Sequence, residues 1–264
     1  MNTRWIVFTM LGICLFGGLI AGIFSRSIEA ALTLSKVKGM QTITPTSTPA
    51  MPTATPVHTM PSPVSNNANI LARDTFQRHD QAFWGTASDG RVWVGDANTI
   101  DAFSIVRNAG QIDHLQGIYS AILGPVTTNA EVVFSASVNH FNPNSVNIGA
   151  ALRWTDSNNW YKAFINGTEL VILKRIQGSS TRLDAIPFRA QDAASYTLRF
   201  RAIGATLFAK AWRSSDPEPS GWMLTITDTG TLLLSGSGGL RVAVQADTVV
   251  RVTSFLETSV TGII

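Results

Sequence analysis

The chain has 264 residues, of which 45% are hydrophobic and only 14% charged, with a formal net charge of +3. Four of its 20 basic residues (Arg4, Arg26, Lys36, Lys38) and one of its 17 acidic residues (Glu29) precede residue 41, leaving 16 of each sign beyond it. That larger part is formally neutral, which excludes the gathered positive charge of a nucleic-acid-binding domain, and the single cysteine, Cys14, excludes an intramolecular disulfide.

From Trp5 to Phe24 the chain runs without a charged residue. Twenty residues at about 1.5 Å each match the roughly 30 Å hydrocarbon core of a bilayer, and Trp5 and Phe24 place aromatic rings at the two interfaces. The run is longer than the roughly 7–15-residue apolar region of a cleaved signal peptide. Residues 1–40 are therefore expected to be a transmembrane anchor with its flanks, uncleaved, with residues 5–24 in the lipid. A count of flanking positive charge would put the rest of the chain in the cytoplasm. Long domains translocate largely regardless of that charge, and the next segment is of a surface type, so the expected location is the cell membrane with the C-terminal part outside.

Residues 41–70 are dominated by Thr, Pro, Ser and Ala, as in Thr44-Pro45-Thr46-Ser47-Thr48-Pro49 and Pro61-Ser62-Pro63. Proline removes backbone donors and favours extended conformations, so this segment reads as a disordered, semi-rigid stalk. Ser and Thr with Pro is also the composition of O-glycosylated stalks.

Residues 71–264 read as one domain, and beyond residue 100 the hydrophobic period is two. Glu131–Val138 places Val132, Phe134, Ala136 and Val138 on one face. Val146–Trp154 alternates likewise, followed by Trp160–Ile165, the pair Asn166-Gly167, and Thr168–Ile176. Asn-Gly between two strand-like runs is a strong hairpin signal, since both residues tolerate positive φ. Asn166-Gly167-Thr168 is also a nominal glycosylation sequon. Ser195–Ile203 turns through Gly204 into Ala205–Trp212, and Gly239–Gln245 and Thr248–Phe255 complete the series. Ser235-Gly236-Ser237-Gly238-Gly239 reads as a flexible turn. With no convincing helical period after residue 71, the expected fold is all-β, a two-sheet antiparallel jelly-roll sandwich preceded by one transmembrane helix and a disordered linker.

The residues in view resemble the concanavalin A-like lectin/glucanase superfamily, in its laminin-G-like branch of bacterial extracellular modules. The resemblance rests on Asp74-Thr75-Phe76-Gln77-Arg78, Trp84-Gly85-Thr86-Ala87, Arg153-Trp154-Thr155-Asp156, Tyr196-Thr197-Leu198-Arg199 and Gly238-Gly239-Leu240-Arg241-Val242, in that order over about 180 residues. It implies a jelly roll of the cell surface, and in some members a structural calcium ion. Where such domains close with an Asp pair before a Phe, this chain has Thr253-Ser254-Phe255. That removes hard oxygen ligands and leaves Asp74 as the metal-ligand candidate.

Catalytic members of that superfamily hydrolyse glycans with clustered carboxylates, and retaining chemistry needs two carboxyls about 5–5.5 Å apart. Glu131, Glu169, Glu218 and Glu257 have no acidic neighbour two or four residues on, and Asp216-Pro217-Glu218-Pro219 reads as a loop. No catalytic residue and no cofactor other than the possible calcium is expected. Trp84, Trp93, Trp212 and Trp222 are expected to pack in the core. If Leu152 and Tyr161 face inward, Asn147, Arg153, Lys162, Arg199, Arg201, Arg241 and Gln245 face outward, with Trp160 as an exposed stacking platform. These eight are the ligand-binding candidates. The expected function is a membrane-anchored, non-catalytic module that binds a glycan. The alternatives are a structural module that binds a cell-envelope protein, and a glycoside hydrolase with an unorthodox acid pair.

Overall fold

The structure is a computed structural model that describes residues 69–261. The expected anchor over residues 5–24 and nearly all of the stalk lie outside the described residues. Among the described residues no helix is long and apolar enough to cross a membrane.

Sixteen strands are described. Short ones come first: β1 (Ile70–Asp74), β2 (Gln81–Ala82), β3 (Val94–Gly95), β4 (Phe103–Ile105), β5 (Gly110–Ile112) and β6 (Gly117–Ile122). Longer ones follow: β7 (Ala130–Val138), β8 (Ile148–Asp156), β9 (Asn159–Ile165), β10 (Glu169–Ile176) and β11 (Ser179–Pro187). The last are β12 (Ser195–Ile203), β13 (Thr206–Arg213), β14 (Leu224–Thr227), β15 (Ser237–Val244) and β16 (Val250–Ser259). A nine-stranded sheet runs β14-β13-β12-β7-β16-β5-β4-β2, with β1 paired to β16, and a seven-stranded sheet runs β11-β10-β9-β8-β15-β6-β3. Every pairing is antiparallel, so the architecture is an antiparallel β-sandwich.

Alternation decides which side chains meet between the sheets. Val132, Phe134, Ala136 and Val138 from β7 are buried against Leu152, Tyr161, Ala163 and Ile165 of the other sheet's strands. One end of this core is aromatic. Trp84 lies 5.1 Å from Phe76, 4.9 Å from Trp93 and 5.0 Å from Phe103 between ring centroids, all edge-on. Trp84 and Trp93 pack as expected, whereas Trp212 and Trp222 are only half-buried.

Asp74 organises that aromatic end and does not present itself to a metal. Its Oδ1 accepts from Phe76 N (2.8 Å), Arg78 (2.8 Å) and Ser88 N (3.2 Å), and its Oδ2 from Arg78 (3.0 Å) and Trp93 Nε1 (2.7 Å). Five N–H donors, two of them on a guanidinium, occupy the oxygens a cation would need. Thr253 and Ser254 are exposed at a bulge in β16, and among the described residues no three His, Cys, Asp or Glu side chains gather as a metal site. These residues do not fit calcium at Asp74. The bulge also resets the alternation of β16, turning Phe255 and Glu257 inward.

Three further sequence expectations are corrected. The β9–β10 hairpin is closed by Asn166–Thr168, with positive φ at Gly167 alone. Asn166 uses its side chain instead: Oδ1 accepts from Thr168 N (3.0 Å) and Glu169 N (2.9 Å), while Nδ2 donates to Pro143 O (3.2 Å), so the sequon amide is buried and engaged. The glycine run before residue 240 is no flexible turn but the start of β15. A β-carbon at Gly236 would meet the Arg153 backbone at 2.4 Å, and one at Gly239 would meet Ala121 O at 2.3 Å. Finally, β8 bulges between Leu152 and Asp156, with Arg153 at φ 50. The extra residue inverts the alternation, so Arg153 points inward and donates to Thr128 O (3.0 Å), Leu233 O (2.7 Å) and Gly204 O (2.7 Å).

Candidate functional site

The outer face of the seven-stranded sheet carries the site. Alternation along β9 puts Trp160, Lys162 and Phe164 on that face, and the register pairs them with Arg175, Leu173 and Val171 of β10. Arg241 and Ala243 project from β15, and Asn147, just before β8, bridges to Ala243. Across β8 the face is nearly bare, because Gly149 has no side chain and Ala151 a small one. A β-carbon at Gly149 would lie 2.6 Å from Lys162 Cε. The gap lets the Lys162 stem cross the strand so that its ammonium donates to Asn147 Oδ1.

Three depressions meet at Asn147. A central cleft of ≈ 160 Å³ is walled by Trp160, Phe164 and Leu173 and carries Lys162, Arg175 and Arg241. It adjoins one of ≈ 350 Å³ toward Ile118 and Gln245 and one of ≈ 470 Å³ toward Asn166, Glu169 and Arg182. A more open depression of ≈ 800 Å³ beside Phe188 and Trp212 contains none of the sequence candidates.

The central cleft is electrostatically lopsided. No Asp or Glu lines it. Lys162 is only 4% exposed, and its ammonium lies 4.7 Å from the Phe164 ring centroid. Burial, and then the neighbouring Arg241, hold its pKa well below the usual lysine range. Arg241 stacks 4.8 Å over Trp160 and donates to Ser120 Oγ. Burial, followed by Arg175, lowers its pKa, while Asp96 pulls the other way. Arg175 donates to Ser180 Oγ at 2.9 Å, and its Nε is buried without a partner.

Four of the eight sequence candidates, Asn147, Trp160, Lys162 and Arg241, converge on this cleft. Gln245 lines the adjoining depression, its Oε1 accepting from Asn142 at 3.1 Å. Trp160 is not the exposed platform expected. The Arg241 guanidinium covers its ring, leaving it 3% exposed, and its Nε1 donates to Ser157 O at 3.0 Å. Arg153 is removed by its bulge and spent on three carbonyls. Arg199 and Arg201 belong to the opposite sheet. There Glu131 pairs with both, at 3.4 and 2.6 Å, and Glu218 with Arg199 at 3.2 Å. Sequence reasoning passed over Phe164, Leu173 and Arg175, although the period-two pattern of the same strands holds them. It had no signal for Ser180, because β11 is an exposed edge strand without apolar alternation.

No protein-family model and no curated protein matches the chain. Solved structures do. A carbohydrate-binding module, CBM66, from Bacillus subtilis is similar at 14% identity, over 63% of this chain and 95% of that one, with a TM-score of 0.51. A xylan β-1,4-xylosidase from Bacillus halodurans C-125 is similar at 13% identity, over 71% of this chain, with a TM-score of 0.50. The GH43 protein BlXynB from Bacillus licheniformis is similar at 10% identity, over 72% of this chain, with a TM-score of 0.51. The likeness spans 39% of each of these two longer chains. At such identities it is a likeness of fold alone, the antiparallel β-sandwich.

Proposed function

We propose that the chain is a membrane-anchored, extracellular, non-catalytic module that binds carbohydrate in the groove centred on Asn147. The observation that carries this reading is the meeting of three depressions at one amide side chain, on a sheet face that mixes apolar walls with convergent polar groups. Support comes from the likeness of its fold to a solved carbohydrate-binding module. The apolar run Trp5–Phe24 and the Thr/Pro-rich segment support the anchor and stalk.

The non-catalytic part of the reading is supported by the acids. Glycoside hydrolysis uses two carboxyls flanking one bond. Among the described residues the groove's one lining acid is Glu169, which is paired with Arg182 at 2.7 Å. Glu131 and Glu218 converge on the other sheet only through the shared Arg199, and each faces a second cation, Arg201 or Lys210. A second reading, docking of a cell-envelope protein, is favoured by the exposed apolar edge at Val92 (56%) and Val94 (51%) beside and on β3.

A glycan array probed with the full-length chain in nonionic detergent, alongside Asn147→Ala, tests the proposal. Binding that the variant loses supports it. A blank array from a monodisperse sample would sink it in favour of the protein-docking reading.

A further inference from the structure

We infer that the central cleft is an oxyanion subsite, taking a carboxylate or sulfate group carried on a sugar whose remaining units lie in the two adjoining depressions. The inference rests on the glycan-binding reading of the groove and narrows it to acidic saccharides.

The protein supplies its own contrast. Elsewhere its buried and half-buried cations are met, Arg153 by three backbone carbonyls and the following ones by carboxylates. Lys174, inside the sandwich, meets Asp228 at 2.8 Å. Arg199, Arg201 and Lys210, on the nine-stranded sheet, meet Glu131 and Glu218 at 2.6–3.4 Å. Arg78 meets Asp74 at 2.8 Å. In the cleft three cations stand together, and none of Lys162, Arg175 or Arg241 forms an ion pair with any described residue. The acid with most influence there, Asp96, already accepts from Ser120 N at 2.7 Å.

Burying cations without a counter-charge is costly, and a bound anion offsets that cost. The donors are also placed for it. Arg175 uses one nitrogen on Ser180, Arg241 one on Ser120, and Lys162 one proton on Asn147, which leaves other donors on each. Two guanidinium forks and an ammonium match the acceptors of an oxyanion. The walls of Trp160, Phe164 and Leu173 thin out competing water and strengthen each contact. At ≈ 160 Å³ the cleft is too small for an oligosaccharide, yet it is continuous with two larger depressions that share Asn147. A charged substituent in the cleft and neutral rings beside it is the arrangement that uses all three.

The test pairs ligands that differ only in charge. The full-length chain in nonionic detergent is titrated with oligogalacturonate and its methyl ester, and with a sulfated galactose oligomer and its unsulfated twin. The charged member of at least one pair is expected to bind about tenfold tighter, the worth of one charge-assisted hydrogen bond. Which pair responds identifies the oxyanion as carboxylate or sulfate. Arg175→Gln, on a half-buried side chain, should shrink the charged–neutral difference. Arg241→Lys, which keeps the charge near Trp160 but loses the fork, should shrink it by less. Equal affinities within both pairs would overturn the oxyanion subsite and leave a neutral-glycan groove standing. Absence of binding by all four ligands, from a sample whose near-ultraviolet circular dichroism shows folded aromatics, would overturn the subsite. A blank across neutral glycans as well would bring down the glycan reading itself.

Discussion

The carboxyl group of Glu257 lies so close to the Cα of Gly124 that a β-carbon there would sit 1.4 Å from Oε2. On its other side a β-carbon at Gly238 would meet the same group at 2.4 Å. Glu257 is fully buried and neither oxygen has a partner. Burial pushes its pKa up to about 8, against a smaller downward pull from Arg91. The native carboxyl is thus protonated at neutral pH, whereas the unfolded one ionises near its ordinary value. Its stabilising contribution is complete below about pH 4.5 and is lost as pH rises through about 8. By pH 7 the loss is roughly 3 kcal/mol. Glu257→Gln is expected to flatten the fall in Tm between pH 5 and pH 8. Calorimetric scans of both proteins across that range check it, and parallel pH profiles would refute it.

Arg153 holds three separate loop carbonyls with one guanidinium. Arg153→Met keeps the stem and removes every donor, so Thr128, Gly204 and Leu233 lose their partner together. A hydrogen bond from a charged donor contributes roughly 1.5–3 kcal/mol, and the three are not additive. The expected loss is at least about 3 kcal/mol, measured by urea unfolding, with secondary structure retained in water.

Asp74→Asn is nearly isosteric, but it sets an amide N–H against Arg78 or Trp93 and leaves the half-buried guanidinium without its counter-charge. The cost is expected to be about 3 kcal/mol. Because five N–H donors already occupy the native oxygens, excess calcium or a chelator should leave the Tm of the parent chain unchanged. A Tm that rises with added calcium would contradict this account of Asp74.

Lys162 couples binding to protons. Facing it are Arg241 from β15, Arg175 from β10, the amide of Asn147, and the apolar rings of Trp160 and Phe164. None of these favours the ammonium by charge, and its pKa is depressed. An anion in the cleft favours the charged form, so binding takes up a proton and affinity rises as pH falls. Titration calorimetry in buffers of unlike ionisation heat should show proton uptake with the acidic ligand, and Lys162→Met should abolish it.

The strands that face a solvent on one side and a core on the other were legible in sequence. β7, β9, β12 and β13 follow the alternation of Glu131–Val138, Trp160–Ile165, Ser195–Ile203 and Ala205–Trp212 within a residue or so. Bulges were not legible. The one at Arg153 costs no apolar residue and leaves no trace in the pattern, yet it carries that side chain from surface to interior. The one at Thr253 does the same for Glu257. Trp160 was correctly assigned to its face, but exposure there depends on Arg241, eighty-one residues later in the chain and one strand beyond β8. A cover supplied by a distant strand has no local signature. The two arginines of β12 show the complementary failure: outward-facing was right, but nothing local says which of two sheets a strand joins.

Asp74 has a mechanical meaning as well. Any load reaching these strands through the segment before Ile70 enters at β1, whose described ladder partner is β16. If β1 peels away, the next point of resistance is one carboxylate gripped by donors from Phe76, Arg78, Ser88 and Trp93. That grip lies where β1 ends and the aromatic cluster begins. It works as a clasp at the point of traction, so that tension on the incoming chain can strip a short ribbon while the sandwich, and the groove on its other sheet, keep their shape.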